Sequence, residues 1–82
     1  MTRESLSTHF MIERILLINR RIESGDYPNA PKLAEEMECS IRTIYRDIDF
    51  IRTRLNAPIK YDSERHGYYY SKQYCLTSYL WS

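Results

Sequence analysis

The residues best suited to chemistry lie in one short stretch, where Ser40 is followed by Arg42, Thr43 and Arg46. An arginine can donate two parallel hydrogen bonds to the O6 and N7 acceptors of guanine, and a threonine offers a hydroxyl and a methyl group. A serine that precedes a helix caps its first turn, whose N–H groups and dipole favour a phosphate. This stretch predicts a surface that contacts nucleic acid; a solvated charged face on an ordinary helix is the alternative.

A regular apolar spacing predicts one helix over residues 40–55 that positions these side chains. Asn56 and Pro58 end it. With the apolar stripe facing the core, Arg42, Thr43 and Arg46 fall on the first turns of the outer face. Tyr45 lies at the border, where its hydroxyl can reach a phosphate. The apolar stripe consists of Ile41, Ile44, Ile48, Ile51 and Leu55.

Two further residues of this helix are interpreted as structural. Asp47 lies near the apolar border, and no basic residue stands three or four positions away in the helix. Any ionic partner of Asp47 must therefore come from another element. Phe50 falls on the outer face, and we expect it to pack under the neighbouring hairpin or against a partner subunit.

Two helices are predicted before this segment. The first covers about residues 7–24 and ends at Gly25. The second begins near Asn29, a plausible cap, with Pro31 in its first turn. A tight turn at Glu38 and Cys39 leads to the third helix, which is the helix-turn-helix pattern. The apolar stripes are Met11, Ile12, Ile15, Ile18 and Ile22 in the first helix, and Leu33, Ala34 and Met37 in the second.

After Pro58 the pattern changes to alternation, which predicts a β-hairpin over residues 58–70. The fold class is therefore mainly α with a small β-hairpin, a three-helix winged helix-turn-helix. Arg65 and His66 lie in the hairpin turn, where they contact the DNA backbone or minor groove, or are plain exposed turn residues. Ile59 and Tyr61 share one strand face, and we expect most tyrosine rings here to pack in the core.

Charge and composition exclude several classes of protein. Residues 1–39 carry a net charge of −2 and residues 40–65 a net charge of +2, a weak sign of a surface for a polyanion. Cys39 and Cys75 form no metal-binding spacing, so we expect neither metal nor disulfide, nor any cofactor. The sequence contains neither a nucleophile–base pair nor a phosphate-binding loop, so nothing in it indicates an enzyme. The sequence has no apolar run of about 20 residues, which a membrane span would need, and its first residues do not resemble a signal peptide. We therefore expect a cytoplasmic protein.

Residues 33–70 resemble the N-terminal winged helix-turn-helix of bacterial transcription regulators that carry a WYL ligand-sensing domain, and more loosely the DeoR-type regulators. The match runs from about residue 11 to residue 70. The resemblance implies a homodimeric repressor or activator on a palindromic operator, with Ser40, Arg42, Thr43 and Arg46 at the DNA. Those regulators continue into a sensing domain, and no small-molecule effector is inferred here. The matching motifs are Ser-x-Arg-Thr-Ile-x-Arg-Asp at 40–47, Leu-x-Ala-Pro-Ile-x-Tyr-Asp at 55–62 and Gly-Tyr-Tyr at 67–69.

These observations predict a DNA-binding domain over residues 1–70, which acts as a sequence-specific double-stranded DNA-binding regulator. A winged-helix module for protein interaction, without DNA reading, is the alternative. Residues 71–82 form an apolar tail, either for dimerisation or as the start of a further domain. A second apolar stripe on the first helix is the other candidate for the dimer contact, and it consists of Leu6, Phe10 and Leu17.

Overall fold

The computed structural model describes residues 10–76. The winged helix-turn-helix predicted from the sequence is confirmed: within the described residues the chain is mainly helical, with three helices followed by one antiparallel two-stranded hairpin. The first residues of the predicted 7–24 helix lie outside the described range. The elements are α1 (Met11–Glu23), α2 (Ala30–Met37), α3 (Ile41–Thr53), β1 (Ile59–Asp62) and β2 (Gly67–Tyr70).

Side-chain caps fix where α2 and α3 begin. The Asn29 side chain accepts a hydrogen bond from the Lys32 N–H at 2.8 Å, and Pro31 stands in the first turn. Ser40 Oγ accepts from the Thr43 N–H at 3.1 Å in the same way. Each cap satisfies one of the amide groups that a helix start leaves without a partner. Both predicted caps are confirmed.

The turn between α2 and α3 depends on Glu38, which adopts a left-handed conformation with φ 53°. This conformation reverses the chain, so that the Cys39 N–H donates to the Ala34 carbonyl at 3.0 Å. A left-handed residue is the usual end of a helix, although glycine fits it best. The turn sets the angle at which α3 leaves α2.

One apolar core joins the helices to the hairpin. Three residues that were predicted to face the core are instead substantially exposed, namely Met11, Ile12 and Ile41. All three stand in the first turn of their helices, where the packed face ends. The buried apolar side chains are Ile15, Ile18, Ile22, Ala30, Leu33, Ala34, Met37, Ile44, Ile48, Ile51, Leu55, Ala57, Ile59, Tyr68 and Leu76.

The hairpin is tied to the loop between α1 and α2. The Tyr68 N–H donates to the Pro28 carbonyl at 2.8 Å. The backbone of Gly67 lies so close to the backbone of Tyr27 that a Cβ atom at residue 67 would lie 1.8 Å from the Tyr27 carbonyl oxygen. Only glycine fits this crossing, which fixes the start of β2 against the helical body.

The chain beyond β2 returns to the core. Tyr74 donates its hydroxyl to the Leu55 carbonyl at 2.5 Å, and the Leu76 side chain is buried. The domain boundary at residue 70 stays a prediction. Of the other apolar tail residues, Tyr79, Leu80 and Trp81 lie outside the described range.

Candidate nucleic-acid interface

The first two turns of α3 carry the predicted contact residues on the side opposite its buried isoleucines. Ser40, Arg42 and Arg46 are exposed, Thr43 is half-buried, and Tyr45 is 53% exposed. Because Ile44, Ile48 and Ile51 anchor the other side in the core, the outer face has one fixed orientation. Arg42 and Arg46 therefore share the outer face, whereas Thr43 lies on the flank toward the cleft with α1 and Tyr45 on the opposite flank.

Arg42 and Arg46 lie one helical turn apart on this surface. Within residues 10–76 no carboxylate forms an ion pair with either guanidinium. Two like charges at this spacing repel each other mildly. A bound anion would relieve that repulsion. No carboxylate would compete with it for the N–H donors of the two guanidinium groups.

Ser40 and Thr43 are engaged with each other. Their hydroxyl oxygens lie 3.0 Å apart, in addition to the cap from the Thr43 N–H to Ser40 Oγ. The helix start therefore leaves the N–H groups of Ile41 and Arg42 for an external acceptor. Ser40 and Thr43 fix the first turn and have less freedom to reach a base than the two arginines.

Asp47 is anchored from another helix, as predicted. Its side chain is buried and pairs with the Arg14 guanidinium of α1, with Nε 2.5 Å from Oδ2 and Nη2 3.2 Å from Oδ1. This hydrogen-bonded carboxylate raises the pKa of Arg14, and burial opposes the rise. The ion pair holds α3 to α1 at the residue next to Arg46.

Phe50 packs at the edge of the core, on the α1 side of α3. The expectation that it lies under the hairpin is therefore wrong. Its ring lies beneath the Arg54 guanidinium, 5.9 Å from ring centroid to Cζ. Phe50 lines a cleft of about 460 Å³ between the start of α1 and α3, whose rim includes Met11, Thr43 and Arg46.

Tyr68 of β2 is buried in the common core of the helices and the hairpin. Burial raises the pKa of the Tyr68 hydroxyl, the nearby Tyr45 and Tyr61 hydroxyls raise it further, and Arg52 lowers it. The Tyr61 ring stands edge-on to Tyr68, with the centroids 5.2 Å apart.

Tyr61 is a surface residue that the sequence pattern misplaced. Alternation puts it on the same strand face as Ile59, and the pairing of Ile59 with Tyr70 and Tyr61 with Tyr68 agrees. Ile59 is buried, but Tyr61 is 52% exposed. Its cross-strand partner Tyr68, on the same face, is buried, so alternation does not distinguish the exposed residue from the buried one.

Arg65 is held by two groups of its own domain. Its Nη1 atom lies 3.1 Å from Asp62 Oδ2, and its Cζ lies 4.9 Å from the centre of the Tyr27 ring. The backbone N–H of Arg65, together with that of Glu64, donates to Asp62 and lowers the pKa of that carboxyl. Arg65 is thus engaged within the turn, in contrast to Arg42 and Arg46.

His66 stands beside Arg65, exposed and in a left-handed conformation with φ 57°. It is the last residue before Gly67 and β2. The turn that carries Arg65 and His66 is closed by the Glu64 and Arg65 N–H groups, which donate to the Asp62 carboxylate.

Comparison with family models agrees with this arrangement. A family model described as "HTH domain" matches residues 13–69, which span nearly all of α1 through β2. The chain belongs to the HTH domain family. Searches of curated proteins and of solved structures gave no significant match. Helix-turn-helix domains are DNA-binding modules whose second helix of the motif contacts bases in the major groove.

Among residues 10–76, no group of three or more His, Cys, Asp or Glu side chains comes together to hold a metal ion. Cys39 is a free thiol at the helix-turn-helix turn, and burial raises its pKa. No helix in the described part of the chain is both long and apolar enough to cross a bilayer.

Proposed function

We propose that this HTH domain binds double-stranded DNA sequence-specifically as a transcription regulator, with α3 in the major groove. One observation carries the proposal: Arg42 and Arg46 are exposed side by side on the first turns of α3, with no acidic partner in residues 10–76. This end of a reading helix is the one that enters the groove. The described surface offers no comparable pair of arginines on its other elements.

The two arginines are assigned to base edges, because a guanidinium matches the two acceptors of guanine. Ser40, Thr43 and Tyr45 border them and are assigned to the phosphate backbone and to positioning. The first-turn N–H groups of α3 add to the attraction for a phosphate. Arg65 and His66 are assigned to the backbone or minor groove beside the hairpin turn.

Fluorescence anisotropy with a selected duplex and a random duplex, each across a salt series, tests this function. Binding should weaken with salt on both duplexes, because phosphate contacts release counterions. Arg46→Ala should cost about 1–3 kcal/mol on the selected duplex and relax its base preference. Lys72→Ala is the control for the loss of one positive charge, since Lys72 is an exposed cation outside α3.

The outcomes separate the alternatives. An equal loss for Arg46→Ala on every duplex would make Arg46 a phosphate contact. The absence of any duplex binding by the wild-type domain would favour the protein-interaction module. Losses of the same size in Lys72→Ala and Arg46→Ala would reduce the binding to general charge attraction.

Dimerisation on a palindromic site belongs to the same proposal. One predicted contact residue, Leu17, is half-buried against the core, on the flank of α1 that faces α2 through the Arg21–Glu36 pair. The exposed apolar residues of this region are Phe10, Met11, Ile12 and Leu16. Sedimentation at high micromolar concentration tests the proposal, and a strict monomer would remove it.

The motifs at residues 40–47 and 67–69 support placing the domain with bacterial, cytoplasmic regulators of the WYL type. This placement extends beyond the family match, which covers the HTH domain alone. Its effector and its sensing domain are left unassigned.

A further inference from the structure

A second cleft, also of about 460 Å³, lies between the end of α1 and the end of β2. Its lining comes from residues 22–27 and 69–75, which are far apart in sequence, so no motif marks it. None of the described residues that line it belongs to α3. The side chains that give the cleft its chemistry are four tyrosines and two charged residues, namely Tyr27, Tyr69, Tyr70, Tyr74, Glu23 and Lys72.

Tyr27 and Tyr69 form one fixed pair of rings in this cleft. Their centroids lie 5.6 Å apart, with the ring planes inclined at 37°. The Arg65 guanidinium covers the Tyr27 ring with its Cζ 4.9 Å from the centroid, an attractive contact between a cation and an aromatic face. The close crossing at Gly67 fixes the backbone of Tyr27. This pair of rings therefore holds its position without a ligand.

Tyr70 and Tyr74 form the second pair, with centroids 5.4 Å apart. The Tyr70 hydroxyl donates to the buried Asn19 side chain at 2.5 Å, and the Tyr74 hydroxyl donates to the Leu55 carbonyl. Burial raises the pKa of Tyr70, so its hydroxyl stays protonated and bonded to Asn19. Because hydrogen bonds anchor both rings, little side-chain freedom is lost when a ligand packs against them.

Glu23 and Lys72 place opposite charges in the same cleft, and both side chains are exposed. Within residues 10–76 neither forms an ion pair, with the other or with any third group. Two opposite charges that share a cleft without pairing can each bind one end of a molecule that carries both charges. Exposed ion pairs stabilise a complex only weakly, so the aromatic walls must supply most of the affinity.

We infer that this cleft binds a small aromatic zwitterion of the amino-acid class. Its ammonium group pairs with Glu23, its carboxylate pairs with Lys72, and its ring packs among the tyrosines. Aromatic rings attract one another in offset and edge-on arrangements, which tilted ring pairs such as these can provide. A volume of this size is typical of small-molecule sites. The inference does not depend on DNA binding, because it uses no residue of α3.

Isothermal titration calorimetry of the full chain with L-tryptophan and L-phenylalanine, at millimolar concentrations, tests the inference. Saturable binding is expected. Three analogues of L-tryptophan each lack one feature: tryptamine lacks the carboxylate, indole-3-propionate lacks the ammonium group, and glycine lacks the ring. The first two should bind about fivefold more weakly than L-tryptophan, the loss of one exposed ion pair, and glycine should not bind detectably.

Two charge variants assign the ends of the ligand. Glu23→Gln should weaken L-tryptophan about fivefold and leave indole-3-propionate unchanged, because that acid has no ammonium group. Lys72→Gln should weaken L-tryptophan to the same extent and leave tryptamine unchanged. The matched controls are Glu35→Gln and Lys32→Gln, which remove exposed charges of α2 outside the cleft and should bind as the wild type does.

Tyr69→Leu tests the aromatic wall, and it should weaken L-tryptophan and L-phenylalanine alike. Tyr61→Leu is its control, since Tyr61 is an exposed tyrosine of the same hairpin that does not line the cleft. Amide shifts in heteronuclear magnetic resonance spectra should locate the ligand at residues 22–27 and 69–75. Thermal unfolding of each variant without ligand separates a lost contact from a lost fold.

Three results would overturn the inference. The first is the absence of saturable binding by both amino acids. The second is a set of amide shifts confined to α3. The third is an equal loss for L-tryptophan and indole-3-propionate in Glu23→Gln, which would remove the ammonium contact. Each of these results leaves duplex binding through Arg46 untouched, because duplex affinity is measured without the amino acid.

Discussion

The guanidinium of Arg14 on α1 donates two hydrogen bonds to the carboxylate of Asp47 on α3, across 33 positions of sequence. Asp47 is only 2% exposed and adjoins Arg46 in the chain. A buried charge is tolerated when it is paired and hydrogen-bonded, as here. The pair therefore fixes the position of α3 relative to α1, immediately beside the surface proposed to read DNA.

Asp47→Asn should destabilise the domain by about 3 kcal/mol, because it removes the charged acceptor and leaves Arg14 partly buried without its partner carboxylate. Urea unfolding followed by circular dichroism measures the loss. Asp49→Asn is the matched control on the same helix, since Asp49 is exposed and its contact with Arg52 is long. Similar midpoints for the two variants would show that the buried pair contributes no more than a surface pair.

Gly67→Ala should destabilise the domain by about 3 kcal/mol, because the new methyl group would overlap the Tyr27 carbonyl and force the loop away from β2. Thermal unfolding measures this effect. Gly25→Ala is the comparison: Gly25 has φ 81° and open space around it, so it should cost only about 1 kcal/mol from backbone strain. Equal costs at the two positions would contradict the crossing of β2 and the loop.

Glu38→Gly should stabilise the domain by about 0.5–1 kcal/mol, because glycine adopts the left-handed conformation at the end of α2 without the steric cost of a side chain. The midpoint of urea unfolding measures the gain. Glu35→Gly, in the interior of α2, should instead destabilise the domain by about 1 kcal/mol. If both substitutions destabilise the domain, the Glu38 side chain stabilises it by more than the left-handed backbone conformation of Glu38 destabilises it.

The hairpin turn should loosen at acidic pH, because hydrogen bonds hold the pKa of Asp62 below its ordinary value. A depressed pKa stabilises the folded turn fully above the ordinary aspartate value of about 3.9. That contribution is lost as the pH falls from there through the folded pKa. Nuclear magnetic resonance shifts of the Arg65 and Glu64 amides across pH 2–6 would follow the change. In Asp62→Asn the amide shifts should lack this titration, and an unchanged titration would assign it to another group.

Local chemistry in the sequence predicted the elements and much of the site. Asn29 and Ser40 are caps in the structure because a short polar side chain can bond to its own first turn, which needs no distant partner. The isoleucine spacing of α3 likewise determined which side of the helix faces away from the core. Arg42 and Arg46 could therefore be placed on one exposed surface before any tertiary contact was known.

Only the tertiary structure decided which polar side chains are already occupied. The sequence required a distant partner for Asp47, but Arg14 is identified only by the crossing of α1 and α3. Tyr61 follows the alternation of a core residue and is nevertheless exposed, although its cross-strand partner Tyr68 is buried. Arg65 and Arg46 look equivalent in sequence. In the structure Arg65 contacts Asp62 and the Tyr27 ring, whereas no carboxylate of the described residues pairs with Arg46. Periodicity specifies which face of an element a residue lies on. Whether its side chain already has a hydrogen-bond or ionic partner depends on contacts between elements far apart in the chain.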